Sequence, residues 1–166
     1  MKESLADQLS KKTGIPIPKN GKKKRQFIDV KEEHLSKGHI IYVPLSENEG
    51  LVVKDGYDER KKFIAIIGVT SDGTIIGSLL INTDPNEFTP QLGACQYPLK
   101  EKDYPTILDY DSWLDCSQIF RLSKKKLLLR GKHCGKVIDS DWGYIEPFLR
   151  KTDVLSNAEK KEFGII

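Results

Sequence analysis

From residue 38 onward the chain runs in short apolar stretches of strand length. Gly38-His39-Ile40-Ile41-Tyr42-Val43-Pro44-Leu45 is β-branched and aromatic, with its proline near the end, and predicts a strand. Leu51-Val52-Val53-Lys54 predicts a shorter one. Lys62–Val69 and Thr74–Asn82 predict two longer strands joined through Thr70-Ser71-Asp72-Gly73. The Asp-Gly step supplies the positive φ of a tight hairpin turn, so this pair is expected to be antiparallel. Gly68, Gly73 and Gly77 read as turn or strand-crossing glycines. From Thr83 to Asp111 the prolines at 85, 90, 98 and 105 indicate loop, with one short strand near Gly93–Tyr97. Trp113–Leu122 predicts a further strand and Cys134–Ile138 a last one. Helical spacing is confined to the ends. Leu5 and Leu9, stopped by Gly14, predict one short helix. Asp139-Ser140-Asp141 offers N-cap chemistry to a helix carrying Trp142, Ile145 and Leu149, which Pro147 is expected to kink or delay. Ser156-x-x-Glu159 is a capping box for a final helix that Gly164 ends. The pattern is that of a mainly β chain with helical additions, a small antiparallel barrel with C-terminal helices.

With 166 residues, 38% of them hydrophobic and 31% charged, the chain is expected to form one core without disulfide staples. Its apolar runs, such as Ile64–Ile67 and Leu79–Ile81, are far shorter than the roughly 20 residues of a spanning helix. The charged start Met1–Asp7 does not resemble a secretory signal. Cys95, Cys116 and Cys134 are odd in number and form no C-x-x-C pair, which points to a reduced, cytoplasmic protein. The net charge of +3 is unevenly placed: residues 1–26 hold eight basic and two acidic residues, the remainder 19 basic and 22 acidic. The expected organisation is therefore a short helix and basic flexible arm over 1–26, a barrel domain over 27–150, and a capped helix over 151–166. Lys22, Lys23, Lys24 and Arg25 form a mobile cation cluster suited to phosphate.

Metal chemistry finds little support. Cys95, Cys116, His133 and Cys134 lack the paired spacing of a zinc site, and adjacent residues of a strand point to opposite faces. Buried free cysteines and a surface histidine are the expectation, with no metal and no cofactor. A Cys-His nucleophile lacks a third, orienting group. No P-loop, dinucleotide-binding glycine motif or nucleophile elbow is present. Tyr57-Asp58-Glu59-Arg60-Lys61-Lys62-Phe63, by contrast, sets a dense cation cluster just before a buried strand, as on a barrel rim where long cations converge on a polyanion. Asp115 and Ser117 lie two apart and share a strand face.

In their order, these pieces resemble the MazF/PemK-like toxins, SH3-like barrels that cleave single-stranded RNA without a metal. Gly38-His39-Ile40-Ile41-Tyr42-Val43 is similar to that family's opening strand, Arg60 to the Arg of its Arg-Pro step, and Thr83 to its Thr-Ser pair. Cys116-Ser117-Gln118 resembles its Cys-Asp-Gln strand. Ser123–Leu127, Gly135-Lys136-Val137 and the Asp141–Leu149 segment resemble its closing pattern. Lys61 replaces the family's proline, and Ser117 stands where many members carry an acid. The resemblance covers roughly residues 38–150. It implies a toxin-type endoribonuclease, part of a toxin–antitoxin or phage-defence pair, acting as a homodimer whose RNA groove an antitoxin occupies. Arg60 is then expected to hold phosphate, Thr83, or failing it Ser78, to donate to a non-bridging oxygen, and Asp115, with Ser117 beside it, to act as base. Lys61 and Lys62 are expected to guide the RNA backbone and Tyr57 to stack an unpaired base. The alternative is a non-catalytic barrel that binds nucleic acid or a partner protein through the same cations, or a structural partner cemented by Trp113, Phe120 and Trp142.

Overall fold

The computed structural model describes residues 27–53 and 56–166. The helix expected around Leu5 and Leu9 and the cation cluster Lys22–Arg25 lie outside the described residues. Eight strands form one antiparallel sheet: β1 (Ile28–Asp29), β2 (His39–Ser46), β3 (Glu59–Val69), β4 (Ile75–Asn82), β5 (Gln96–Leu99), β6 (Ser112–Asp115), β7 (Phe120–Ser123) and β8 (Lys132–Lys136). Their order is β1-β8-β2-β3-β4-β6-β5, with β7 also on β4. Among the described residues no strand pair joins β1 to β5, so the mainly β class with helical additions holds as an open sheet rather than a closed barrel. Among the described residues four helices decorate it: α1 (Pro90–Gly93), α2 (Lys124–Arg130), α3 (Asp139–Lys151) and α4 (Asn157–Glu162). No helix among the described residues is long and apolar enough to cross a membrane.

The Asp-Gly hairpin forms as expected. Asp72 Oδ1 accepts from the Thr74 N–H at 3.0 Å and the Thr70 hydroxyl at 2.7 Å, and Gly73 takes φ 75°. Three expectations are corrected. Residues 51–53 make no strand: a capped turn over Glu47–Glu49 ends at Gly50 with φ 93°, after which Leu51 anchors in the core while Val52 stays exposed. The expected strand Trp113–Leu122 is divided. Six residue steps separate Leu114 from Phe120, against three between their β4 partners Ile81 and Ser78, so β6 and β7 lie along β4 with a looped-out stretch between them. Asp115 turns the chain there by accepting the Ser117 N–H. Finally, α3 begins at Asp139 and runs through Pro147. Its N-cap, Ile138, has no side-chain cap; the Ile138 N–H donates to the Tyr104 hydroxyl at 3.1 Å. Asp141, in its first turn, accepts the hydroxyls of Tyr97 and Tyr104 at 2.7 and 2.6 Å. The Ser156–Glu159 box caps α4 as expected.

Both faces of the sheet are apolar and covered. One carries Ile40, Ala65, Leu79, Ile81 and Leu114 against Ile145 and Leu149 of α3 and against Phe163. The other carries Ile41, Val43, Ile64, Ile66, Leu80 and Leu122 against Val30, Leu35 and Leu127 of α2. Gly68 and Gly77 are not turn residues but a cross-strand pair. A Cβ on Gly68 would stand 1.9 Å from the Phe163 carbonyl oxygen, and one on Gly77 would stand 2.6 Å from the Phe163 ring. The bare backbone of these two glycines is the seat of Phe163.

Candidate functional site at the end of β3 and β4

Strand alternation distributes the cations at the start of β3. Lys62 and Arg60 share the face of Ile64, whereas Lys61 lies on that of Phe63. Phe63 pairs with Ile81, which puts Lys62 beside Asn82, and Asn82 in turn pairs with Trp113. The Lys62 ammonium donates to Asn82 Oδ1 at 2.5 Å. It is only 9% exposed and, among the described residues, has no carboxylate within 4.0 Å. Burial, and then the neighbouring Arg60 guanidinium, pull its pKa down from 10.5 to about 8.

Arg60 is exposed, and it is the described arginine without an acidic partner. Arg121 pairs with Glu162, Arg150 with Glu146 at 3.4 Å, and Arg130 with both oxygens of Glu59 at 2.7 and 2.8 Å. The last pair matters locally, because it holds the acid next to Arg60 and leaves the Arg60 fork uncontested. Arg60 lines a hollow of about 330 Å³ with Val53, Glu59 and Tyr57, a residue that is 69% exposed. A planar cation, an uncovered aromatic ring and a partly desolvated amine thus stand together. Such a set can hold a phosphate and stack a base.

Thr83 is the first residue past β4 and is exposed; continuing the register by one residue places it beside Lys61. Asp115 lies elsewhere. From the row Lys62–Asn82–Trp113, Arg60 is two residues toward the rim and Asp115 two residues toward the sheet centre, on the second strand over. At about 3.4 Å per residue and 4.8 Å per strand, their α-carbons are roughly 17 Å apart. Asp115 is buried, and its Oδ1 accepts from Gln96 Nε2 at 3.0 Å, the Ser117 N–H at 2.9 Å and the Ser117 hydroxyl at 2.5 Å. The structure therefore brings Tyr57, Arg60, Lys61, Lys62 and Thr83 to one end of the sheet and places Asp115 with Ser117 apart from them. Cys116, behind Asp115, is buried with its thiol pushed up to about 12 by burial.

A second cluster carried no signal in the sequence. His34, His39 and His133, all the histidines of the chain, meet where the segment after β1 crosses β2 and β8. The His34 and His133 rings stack at 3.8 Å and 4°, and His39 Nδ1 lies 2.9 Å from His133 Nε2. His34 Nδ1 accepts the Lys31 N–H at 3.0 Å. His133, expected on the surface, is thus partly buried between two rings. Burial, and then His133, pull the pKa of His39 down to about 4; burial, and then His34, lower that of His133. Among the described residues no three His, Cys, Asp or Glu side chains are grouped to hold a metal ion. No protein-family model matches the chain, and no curated protein matches it.

Proposed function

We propose that the chain is an endoribonuclease of the MazF/PemK-like type, acting on single-stranded RNA at the sheet end built from β3 and β4. The observation that carries this reading is Arg60: an exposed guanidinium with no acid of its own among the described residues, next to an uncovered Tyr57 ring and a buried amine at Lys62. Cleavage through the ribose 2′-hydroxyl needs a cation for the charge that builds on phosphorus, donors for the phosphate and a group to take one proton. Arg60 supplies the first, and its guanidinium N–H groups serve as donors as well; Lys61 and Thr83, which share the opposite strand face, guide the flanking backbone. Tyr57 offers a stacking surface for an unpaired base. A homodimer and an antitoxin that covers this end are part of the same proposal. A second reading, a non-catalytic RNA- or protein-binding module, draws on Asp115, whose Oδ1 is engaged by three donors well away from Arg60.

Incubation of the full chain with a labelled single-stranded RNA in EDTA, beside Arg60→Ala, separates the two. Discrete fragments, at least 100-fold fewer with Arg60→Ala, support the nuclease. RNA bound but left intact across a wide protein concentration supports the binding module. Because phosphate contacts release counterions, binding in either case should weaken steeply with added salt.

A further inference from the structure

Buried lysines are rare unless something holds the charge. The described residues include two, and they differ. Lys160 donates to the carbonyls of Arg150 and Thr152 at 3.0 and 2.5 Å, which closes the end of α3. Lys62 closes no helix and, among the described residues, neutralises no acid; it meets a single amide oxygen, Asn82 Oδ1. Its cross-strand neighbours, Val43 on β2 and Asn82 on β4, are uncharged; among the described residues Arg60, on the same face, is the charge that acts on it, with Lys61 on the other face and Glu59 held by Arg130. Two residues along a strand is about 7 Å. That spacing fits a phosphate on the guanidinium and the adjoining ribose at the amine.

We propose that Lys62, oriented by Asn82, is the general base that takes the proton of the ribose 2′-hydroxyl; this rests on the endoribonuclease reading. In the step, the 2′-oxygen gives its proton to the neutral amine and forms a bond to phosphorus. The bond from phosphorus to the 5′-oxygen breaks with its electron pair, and the departing oxygen takes a proton from water. The products are a 2′,3′-cyclic phosphate and a 5′-hydroxyl end, and the ammonium returns its proton to solvent. Nothing is oxidised or reduced. With its pKa drawn down to about 8, roughly one Lys62 in ten is neutral at pH 7, against fewer than one in a thousand for an ordinary lysine.

The test pairs kinetics with a direct titration. Lys62→Arg should bind the labelled RNA within about threefold of the unchanged protein yet cleave it about 10²–10⁴-fold more slowly, and its rate should no longer level off above pH 8. In the unchanged protein with ¹³C-labelled lysine, one side chain should titrate near pH 8, and that resonance should vanish in Lys62→Arg. Lys62 is excluded if it titrates near the ordinary value of about 10.4. It is excluded equally if Lys62→Arg cleaves at the unchanged rate and pH dependence while Arg60→Ala is inactive; in both cases the nuclease reading stands. If the unchanged protein leaves the RNA intact, or Arg60→Ala cuts as well as it does, the nuclease reading falls and this assignment with it.

Discussion

Single residues divide here into those committed to the fold and those left free by it. Asp115 belongs to the first kind. Its carboxylate gathers Gln96 and both donors of Ser117 at the point where β6 leaves the edge of β4. Asp115→Ala removes the shared acceptor of buried Gln96 and half-buried Ser117, so it should lower the unfolding free energy in urea by about 1–3 kcal/mol, while RNA cleavage stays within about threefold. Arg60 belongs to the second kind, and it was legible in the sequence because a dense cation run directly before an apolar strand marks a rim. The state of Lys62 was not legible. Its burial depends on Val43 and Asn82, which approach only when β2, β3 and β4 pair, and its run of like neighbours looks the same whether solvated or covered. The same limit applied to Asp115, whose distance from Arg60 is a matter of register between strands and not of spacing along the chain.

Among the elements, local chemistry was read well and long-range pairing was not. The Asp-Gly hairpin and the Ser156 capping box are set by neighbours within a few residues, and both appear as expected. The division of Trp113–Leu122 into β6 and β7 needs the position of β4, which no local signal contains. Pro147 shows a related effect: it removes a backbone donor, but Ile145 and Leu149 are fully buried on either side and hold α3 in helical form across it. The seat of Phe163 on Gly68 and Gly77 likewise joins three segments that are distant in the chain. Gly68→Ala drives a methyl group into the Phe163 backbone, where no side-chain rotation relieves it. The expected loss is about 1–3 kcal/mol of stability, read as an earlier thermal transition, with Ser71→Ala in the exposed hairpin as an unaffected control.

For the molecule as a whole, His39 and His133 link stability to pH. Folding holds His39 and His133 below their ordinary value of 6.5, so the folded state favours the neutral rings. Their contribution is complete above pH 6.5 and is lost as the pH falls from there towards 4, where the unfolded chain binds protons that the folded chain refuses. The melting temperature should therefore drop across that window, and His39→Gln should flatten the drop; an unchanged pH profile in that variant would show that the cluster is not responsible. The two apolar faces carry one more implication, through the bulge in β3 between Ile66 and Gly68. Ile66 faces the α2 side, Ile67 faces the α3 side, and Val69 returns to the α2 side. The one surplus residue lies between two halves whose β4 partners, Ser78 and Gly77, are consecutive: the cation end on one side and the glycine seat on the other. Deleting Ile67 alone would pair Ile66 with Ser78 and Gly68 with Gly77 in unbroken alternation, so the cation end and the glycine seat should both keep their faces, and the cost should be that of the buried Ile67 side chain itself.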